Sequence, residues 1–260
     1  MVEMLWVQNF WISAICIPYI IIIREKPEFP PSMVSLEKAK EANFCSNIAD
    51  ALKLKHYVLL ILTFMLLQGG FLAFGININQ LLSPPFTDVE ISGLGALIIL
   101  VGVITSILTG FILNKFHKYV LMVRLSAFGT AILLGISVYA VYIENKLFLA
   151  VILICAAVSL IPIIPVGIDF ASELTFPYEE TVVTGFLLMA AQAFGFLLSL
   201  AVLKVVVIHG VEYPQPIYGF ILLAGCAGLA AVISLILRED LRRLSFSRTN
   251  SETSMDAFKS

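Results

Sequence analysis

Two glutamines lie deep inside long apolar stretches of this sequence, where an amide can hydrogen-bond either a small solute or a neighbouring helix. Gln68 lies eleven residues after Tyr57, and Gln192 lies eleven residues after Thr181, where the two stretches begin. A helix rises about 1.5 Å per residue, so both amides would lie about 16 Å deep. For Gln192 both readings stay open, whereas for Gln68 and Asn77 a bond to a neighbouring helix is favoured.

The remaining residues offer no grouping that is typical of an enzyme. His56, His117 and His209 lie in loops or at the ends of apolar stretches, and no metal-ligand spacing or phosphate-binding loop is found. We therefore predict no catalytic residue, no metal and no cofactor. The formal net charge of -2 gives no reason to expect binding to nucleic acid.

The composition predicts an all-α membrane protein. Of the 260 residues, 60% are hydrophobic and 13% are charged, against about 25% charged residues in soluble domains. A helix of about 20 apolar residues spans a bilayer with every backbone group bonded internally. We predict about seven transmembrane helices, from apolar runs at Met4 to Ile23, Tyr57 to Leu81, Ile91 to Leu113, Val120 to Tyr142, Leu147 to Phe170, Thr181 to Ile208 and Ile217 to Leu237.

These runs divide the chain into four regions. Residues 1–23 form the first helix and residues 24–56 form a polar, initially proline-rich linker. Residues 57–237 hold six further helices, and residues 238–260 form a polar tail. Within the linker, Leu36 to Leu54 allows a short surface helix.

Lysines and arginines predict the orientation, because they stay on the cytoplasmic side of short loops. They concentrate in the linker, in the loop after the third run and in the tail. The linker and the tail should therefore be cytoplasmic, with the plasma membrane preferred over an organelle. An odd number of spans places Met1 on the outer side, which suggests that further sequence precedes it.

Three stretches resemble a known family. Gly110-Phe-Ile-Leu-Asn114-Lys115-Phe-His117-Lys118 is similar to the basic loop motif of the major facilitator superfamily. More specifically, the passage from Ala171-Ser-Glu173-Leu-Thr-Phe-Pro177 through Gln192-Ala-Phe-Gly195, together with Gln68-Gly69-Gly70-Phe71-Leu72, resembles the feline leukaemia virus subgroup C receptor-related transporters. The resemblance covers about residues 24 to 237. It implies the sixth helix, the central loop and the C-terminal six-helix bundle of a twelve-helix fold.

The resemblance also implies a function and a site. Such a chain would contribute to moving a small organic solute by alternating access, with a choline or ethanolamine type of cation first and haem second. Gln192 would bind the substrate, with Gln68, Phe71 and Phe74 as its neighbours, since aromatic rings attract cations. Leu72 stands where the family has a tyrosine.

Charged groups near the inner ends of the helices are predicted to hold a gate. Basic side chains would pair there with carboxylates of the fifth run and of the loop after it. The predicted group comprises Lys115, Lys118, Arg124, Asp169, Glu173 and Glu179. In the fifth run itself, Pro162 and Pro165 should kink the helix.

Two functions follow from these features. In the first, the chain is a transporter half whose partners are a small-molecule substrate, the lipid bilayer and either a missing N-terminal half or a second copy. In the second, it is a truncated membrane protein that binds a partner half and transports nothing. The missing half favours the second, because alternating access requires two blocks around a shared site.

Overall fold

Helices make up almost all of the described chain. The computed structural model describes residues 6–7, 9–16, 44–83, 85–116, 118–208 and 216–238. The chain divides into two compact units, Met1–Glu41 and Ala42–Ser260. In the first unit, residues 6–7 and 9–16 are helical. The second unit contains α1 (Phe44–Ala51), α2 (Lys55–Ile76), α3 (Ile78–Leu82), α4 (Asp88–Phe116), α5 (Tyr119–Tyr142), α6 (Lys146–Leu160), α7 (Ile163–Thr175), α8 (Glu180–Ile208) and α9 (Pro216–Ile236).

Six spans in this part of the chain are long and apolar enough to cross a membrane. They are α2, α4, α5, the α6–α7 pair, α8 and α9. The prediction of an all-α membrane protein is thereby confirmed. Six of the seven predicted runs are helical spans, and their first and last residues differ from the predicted ones by a few positions. Half of the first run, Met4 to Ile23, lies outside the described residues, and its span stays a prediction.

Contacts between helix ends show that the spans alternate in direction. The Tyr57 hydroxyl at the start of α2 donates a 2.7 Å hydrogen bond to the Val183 carbonyl at the start of α8. Arg124, near the start of α5, donates to backbone carbonyls at the end of α9. At the opposite end, Lys146 at the start of α6 forms an ion pair with Glu90 at the start of α4. Successive spans therefore run in opposite directions through the bundle.

The α2 helix lies at the centre of this bundle and α4 lies at its edge. In the 18-residue apolar stretch of α2, 44% of the residues are buried, against 17% in that of α4. A soluble protein could not leave α4 so exposed, but in a bilayer the acyl chains cover an apolar helix face at little cost. The buried core consequently forms two clusters around α2, with residues from α5, α6, α7, α8 and α9.

The fourth span is broken at Pro162, one of the two prolines at which a kink was predicted. The α6 helix ends at Leu160, α7 begins at Ile163, and Pro162 occupies the junction. Proline has no N–H to continue the helical ladder, which explains the break at Pro162. Pro165 falls in the first turn of α7, where N–H groups have no partner within the helix and proline is tolerated.

A short helix precedes the bundle. It covers Phe44–Ala51, which is part of the predicted surface helix Leu36 to Leu54; residues 36–43 lie outside the described residues. Ala51 is fully buried in the main core, so the helix is seated on the bundle. Just beyond it, Lys53 donates a 2.7 Å hydrogen bond to Asp50, and this bond raises the pKa of the Lys53 ammonium group.

Candidate functional site

The α2 and α8 helices approach each other closely where they cross, at Gly69 and Gly195. A Cβ atom added to Gly195 would lie 3.0 Å from both the Cα and the carbonyl oxygen of Gly69. One added to Gly69 would lie 3.1 Å from the Gly195 nitrogen. Small residues allow helix backbones to meet in this way inside a membrane. Any larger residue at either position would separate the two spans.

Both predicted glutamines flank this crossing. Gln68 directly precedes Gly69, and Gln192 lies one helical turn before Gly195. Gln192 is exposed, whereas Gln68 is half-buried, and its Oε1 atom is buried without a hydrogen-bond partner among the described residues. An unbonded amide oxygen at membrane depth is costly. The two side chains are therefore the polar groups at this crossing that could accept or donate a bond to a solute.

An exposed stripe of α8 continues from Gln192 in both directions. Met189 and Phe196, one turn to either side, are 59% and 58% exposed. Neither residue was singled out in the sequence, although the spacing of three and four residues from Gln192 is the signal that would have found them. Phe196 thus supplies an aromatic ring on the same stripe as the Gln192 amide.

Phe71 and Phe74, the two predicted aromatic neighbours, lie elsewhere. They line a partly open cavity of about 40 Å³ between α2, α4, α5, α6 and α9, and the Phe74 ring lies 6.3 Å from that of Phe220. A cavity of this volume has room for a few water molecules. Leu72 instead faces the crossing, since its Cδ2 would lie 2.8 Å from a Cβ on Gly195.

The cavity carries one polar group. Thr130 is 1% exposed, and its hydroxyl has no hydrogen-bond partner in the described part of the chain. All the other lining residues are apolar: Leu66, Leu67, Gly70, Phe71, Phe74, Ile98, Leu134, Leu153, Ala156, Ala157, Leu160, Leu223 and Ala227. The cavity wall is therefore almost entirely apolar.

The predicted gate residues lie at one end of the bundle, with different surroundings. Arg124 is half-buried and donates hydrogen bonds to the carbonyls of Ser234, Leu235 and Leu237, at 3.1, 3.1 and 2.7 Å. These carbonyls lie at the end of α9, where the last C=O groups have no helical partner of the usual kind; the Ser234 carbonyl also accepts from the Leu237 N–H at 3.3 Å. Arg124 thus caps α9, a role that the sequence did not indicate. Glu173 is half-buried, and the exposed members are Lys115, Lys118, Asp169 and Glu179; their pairing stays a prediction.

The six-span bundle, with its broken fourth span and a glycine crossing of α2 and α8, is that of an all-α membrane protein. The chain is 29% identical, over 90% of its length, to the choline/ethanolamine transporter FLVCR2 of Rattus norvegicus. It is 28% identical, over 88% of its length, to the choline/ethanolamine transporter FLVCR1 of Felis catus. An uncharacterised MFS-type transporter of Caenorhabditis elegans is 28% identical over 84% of the chain. These relatives confirm the resemblance that was predicted from the sequence.

The similarity covers only part of each relative. The matched region is 43% of the rat protein, 41% of the cat protein and 37% of the nematode protein. The chain therefore spans less than half the length of these curated relatives, as expected for a match to one half of a twelve-helix transporter. No family model matches the chain.

Proposed function

We propose that this chain is one half of a transporter for a small organic solute, in which the α8 stripe of Met189, Gln192 and Phe196 forms a wall of the solute path. The observation that carries the proposal is the exposed amide of Gln192 beside the α2–α8 crossing. An amide facing acyl chains would lose its hydrogen bonds with water and gain none. The stripe should therefore face an aqueous path or a second protein block.

The solute that fits this wall best is a choline or ethanolamine type of cation. Phe196 offers a ring face to a cationic headgroup, and such contacts contribute roughly 0.5 to 2 kcal/mol. The Gln192 amide can accept a hydrogen bond from the hydroxyl group of such a solute. The names of the rat and cat relatives give the same solutes. Haem is the second choice. Haem iron favours an axial ligand such as histidine, and the histidine of the described spans, His56, lies at the start of α2 and not at mid-membrane depth.

A second block is required for the chemistry of transport. Alternating access needs two bundles that rock around a shared site, and the described part of this chain supplies six spans. We infer that the second block is an N-terminal type of six-helix half, whether it is covalently linked or separate. We also infer a plasma-membrane location with the linker and the tail in the cytoplasm, and a transport role without enzymatic activity.

Uptake of labelled choline by cells tests this function. The chain should be expressed alone and together with the N-terminal half of the rat relative, and compared as wild type, Gln192→Ala and Gln80→Ala. Gln80 is an exposed amide on α3, outside the proposed wall, so its variant is the matched control. We expect uptake by the paired wild type and by Gln80→Ala, and a loss of about tenfold or more for Gln192→Ala, because one buried hydrogen bond contributes roughly 1 to 3 kcal/mol.

The second candidate is a membrane protein that binds a partner half without transporting a solute. The observation that favours it is the coverage of less than half of the relatives. Co-purification of the two halves without choline uptake, at normal surface expression of both, would support this candidate. Uptake that depends on Gln192 would exclude it.

A further inference from the structure

The first span is interrupted near its outer end by one buried polar residue. The α2 helix ends at Ile76, α3 begins at Ile78, and Asn77 lies between them with a non-helical backbone. Asn77 is only 2% exposed. A polar side chain in such a place must find partners within the protein, because no water reaches it.

The Asn77 amide finds these partners on two different helices. Its Nδ2 group donates to the Ala73 carbonyl of α2 at 2.9 Å. The same group reaches the hydroxyl oxygen of Ser199 in α8 at 2.9 Å and the carbonyl oxygen of Ser199 at 3.2 Å. An amide has two hydrogens, so one of them serves Ala73 and the other is shared by both oxygens of Ser199. Ser199 itself is 5% exposed.

The α3 segment beyond the break also contacts α9. Leu81 is buried at 1% exposure, and its Cδ2 would lie 2.4 Å from a Cβ on Gly219. On the other side, Asn79 and Gln80 are exposed. The segment is therefore attached to α9 by an apolar contact and to α8 by the Asn77 amide. Its connection to α2 passes through the non-helical Asn77, whose backbone N–H donates to the Ala73 carbonyl at 3.2 Å.

We propose that Asn77 is a positioning residue that binds the outer segment α3 to α8, so that the two move as one body while the break at Asn77 serves as the hinge. This proposal rests on the proposed transport function for its purpose, because a segment at the outer end of a span can open or close the solute path. The attachment of α3 to α8 through Asn77 does not depend on which solute is transported. Without the amide bonds, α3 should detach from α8 and its exposed face should become more accessible from outside.

Labelling of a cysteine at position 80 tests the proposal on the full chain in membranes. The background variant replaces Cys16, Cys45, Cys155 and Cys226 with serine and carries Gln80→Cys, which a membrane-impermeant maleimide modifies. Asn77→Ala is compared with the milder Ser199→Ala, which removes only the hydroxyl acceptor. The matched control is Ser137→Ala, because Ser137 is fully buried but bonds within its own helix, to the Leu134 carbonyl at 2.7 Å.

We expect the labelling rate to rise by about tenfold in Asn77→Ala and by a smaller factor in Ser199→Ala, since a locally opened segment reacts in proportion to its open population. Ser137→Ala should label at the background rate. Equal labelling in Asn77→Ala and Ser137→Ala would overturn the proposal, whatever their thermal stability. Choline uptake is not needed for this readout, so a failure of the proposed function leaves the labelling result interpretable.

Discussion

Glycines bring spans together both at the α2–α8 crossing and around the α6–α7 break, and these two regions differ in the groups that lie beside the glycines. At the α2–α8 crossing, Gly69 and Gly195 bring backbones together next to the amides of Gln68 and Gln192. Around the α6–α7 break, the side chain of Ile161 packs against Gly102 and that of Ser159 packs against Gly129. The Phe64 ring packs against Gly167. The first region leaves hydrogen-bonding groups available to a solute.

In the second region, around the α6–α7 break, close packing against glycines stabilises the broken helix. Its contacts are mainly between glycines and apolar side chains of neighbouring spans, and they surround a helix whose backbone ladder is already interrupted at Pro162. A broken helix needs such lateral support, because the break removes part of its own hydrogen bonding. Substitutions at the break should therefore change stability, and substitutions at the crossing should change transport.

The largest effect is expected for Gly102→Ala. The added methyl would lie 1.9 Å from Cδ1 and 2.9 Å from Cβ of Ile161; the Cβ atom is fixed by the backbone, so rotation of the side chain cannot relieve the overlap. We expect a loss of about 2 to 3 kcal/mol, measured as a lower melting temperature in detergent. Gly110→Ala on the same helix meets open space and should stabilise by up to about 1 kcal/mol. Similar melting temperatures for both variants would refute the packing argument.

A smaller loss of stability with a larger loss of transport is expected for Gly195→Ala. Its methyl would meet the Gly69 backbone at 3.0 Å, so α2 and α8 must separate and the two glutamines must shift. We expect roughly 1 to 2 kcal/mol of destabilisation and a several-fold drop in choline uptake at equal surface expression, since small misplacements of binding groups are costly. The control is Gly185→Ala on the same helix, where a methyl meets open space. Unchanged uptake in Gly195→Ala would remove the crossing from the solute path.

The smallest effect is expected for Thr130→Val in the apolar cavity beside the break. The substitution keeps the shape and removes a buried hydroxyl that has no partner in the described chain, so stability should stay the same or rise by less than about 1 kcal/mol. Thr63→Val is the matched comparison, because Thr63 is fully buried and its hydroxyl donates to the Leu59 carbonyl at 2.9 Å. If Thr130→Val destabilised the protein more than Thr63→Val does, the cavity would hold an ordered water or another bound molecule.

The spans and the depth of the site could be predicted from the sequence for simple physical reasons. The lengths of the apolar runs predicted the six spans of the described chain. The break at Pro162 was predictable because proline has no N–H to continue the helix. Counting residues along a helix places Gln68 and Gln192 at mid-membrane depth, and the structure brings Gly69 and Gly195 together beside them.

The faces of the helices could not be predicted, because these spans are apolar all around. A soluble helix reveals its buried face by a polar stripe on the other side, and α2 has none. Phe71 and Phe74, which the resemblance placed beside the substrate, line the cavity between the spans, whereas Leu72 faces the crossing; their contact with a solute stays a prediction. The capping role of Arg124 was missed for a related reason, since the free carbonyls that end α9 belong to the backbone and leave no mark in the sequence.

Binding of tritiated choline to the purified chain, paired with the N-terminal half of the rat relative, tests most directly whether the Gln192 face is a wall of the solute path. We predict saturable binding by the wild type and by Gln80→Ala, and an affinity about tenfold or more weaker for Gln192→Ala. Equal affinities for the wild type and Gln192→Ala would contradict the assignment of this face to the solute path.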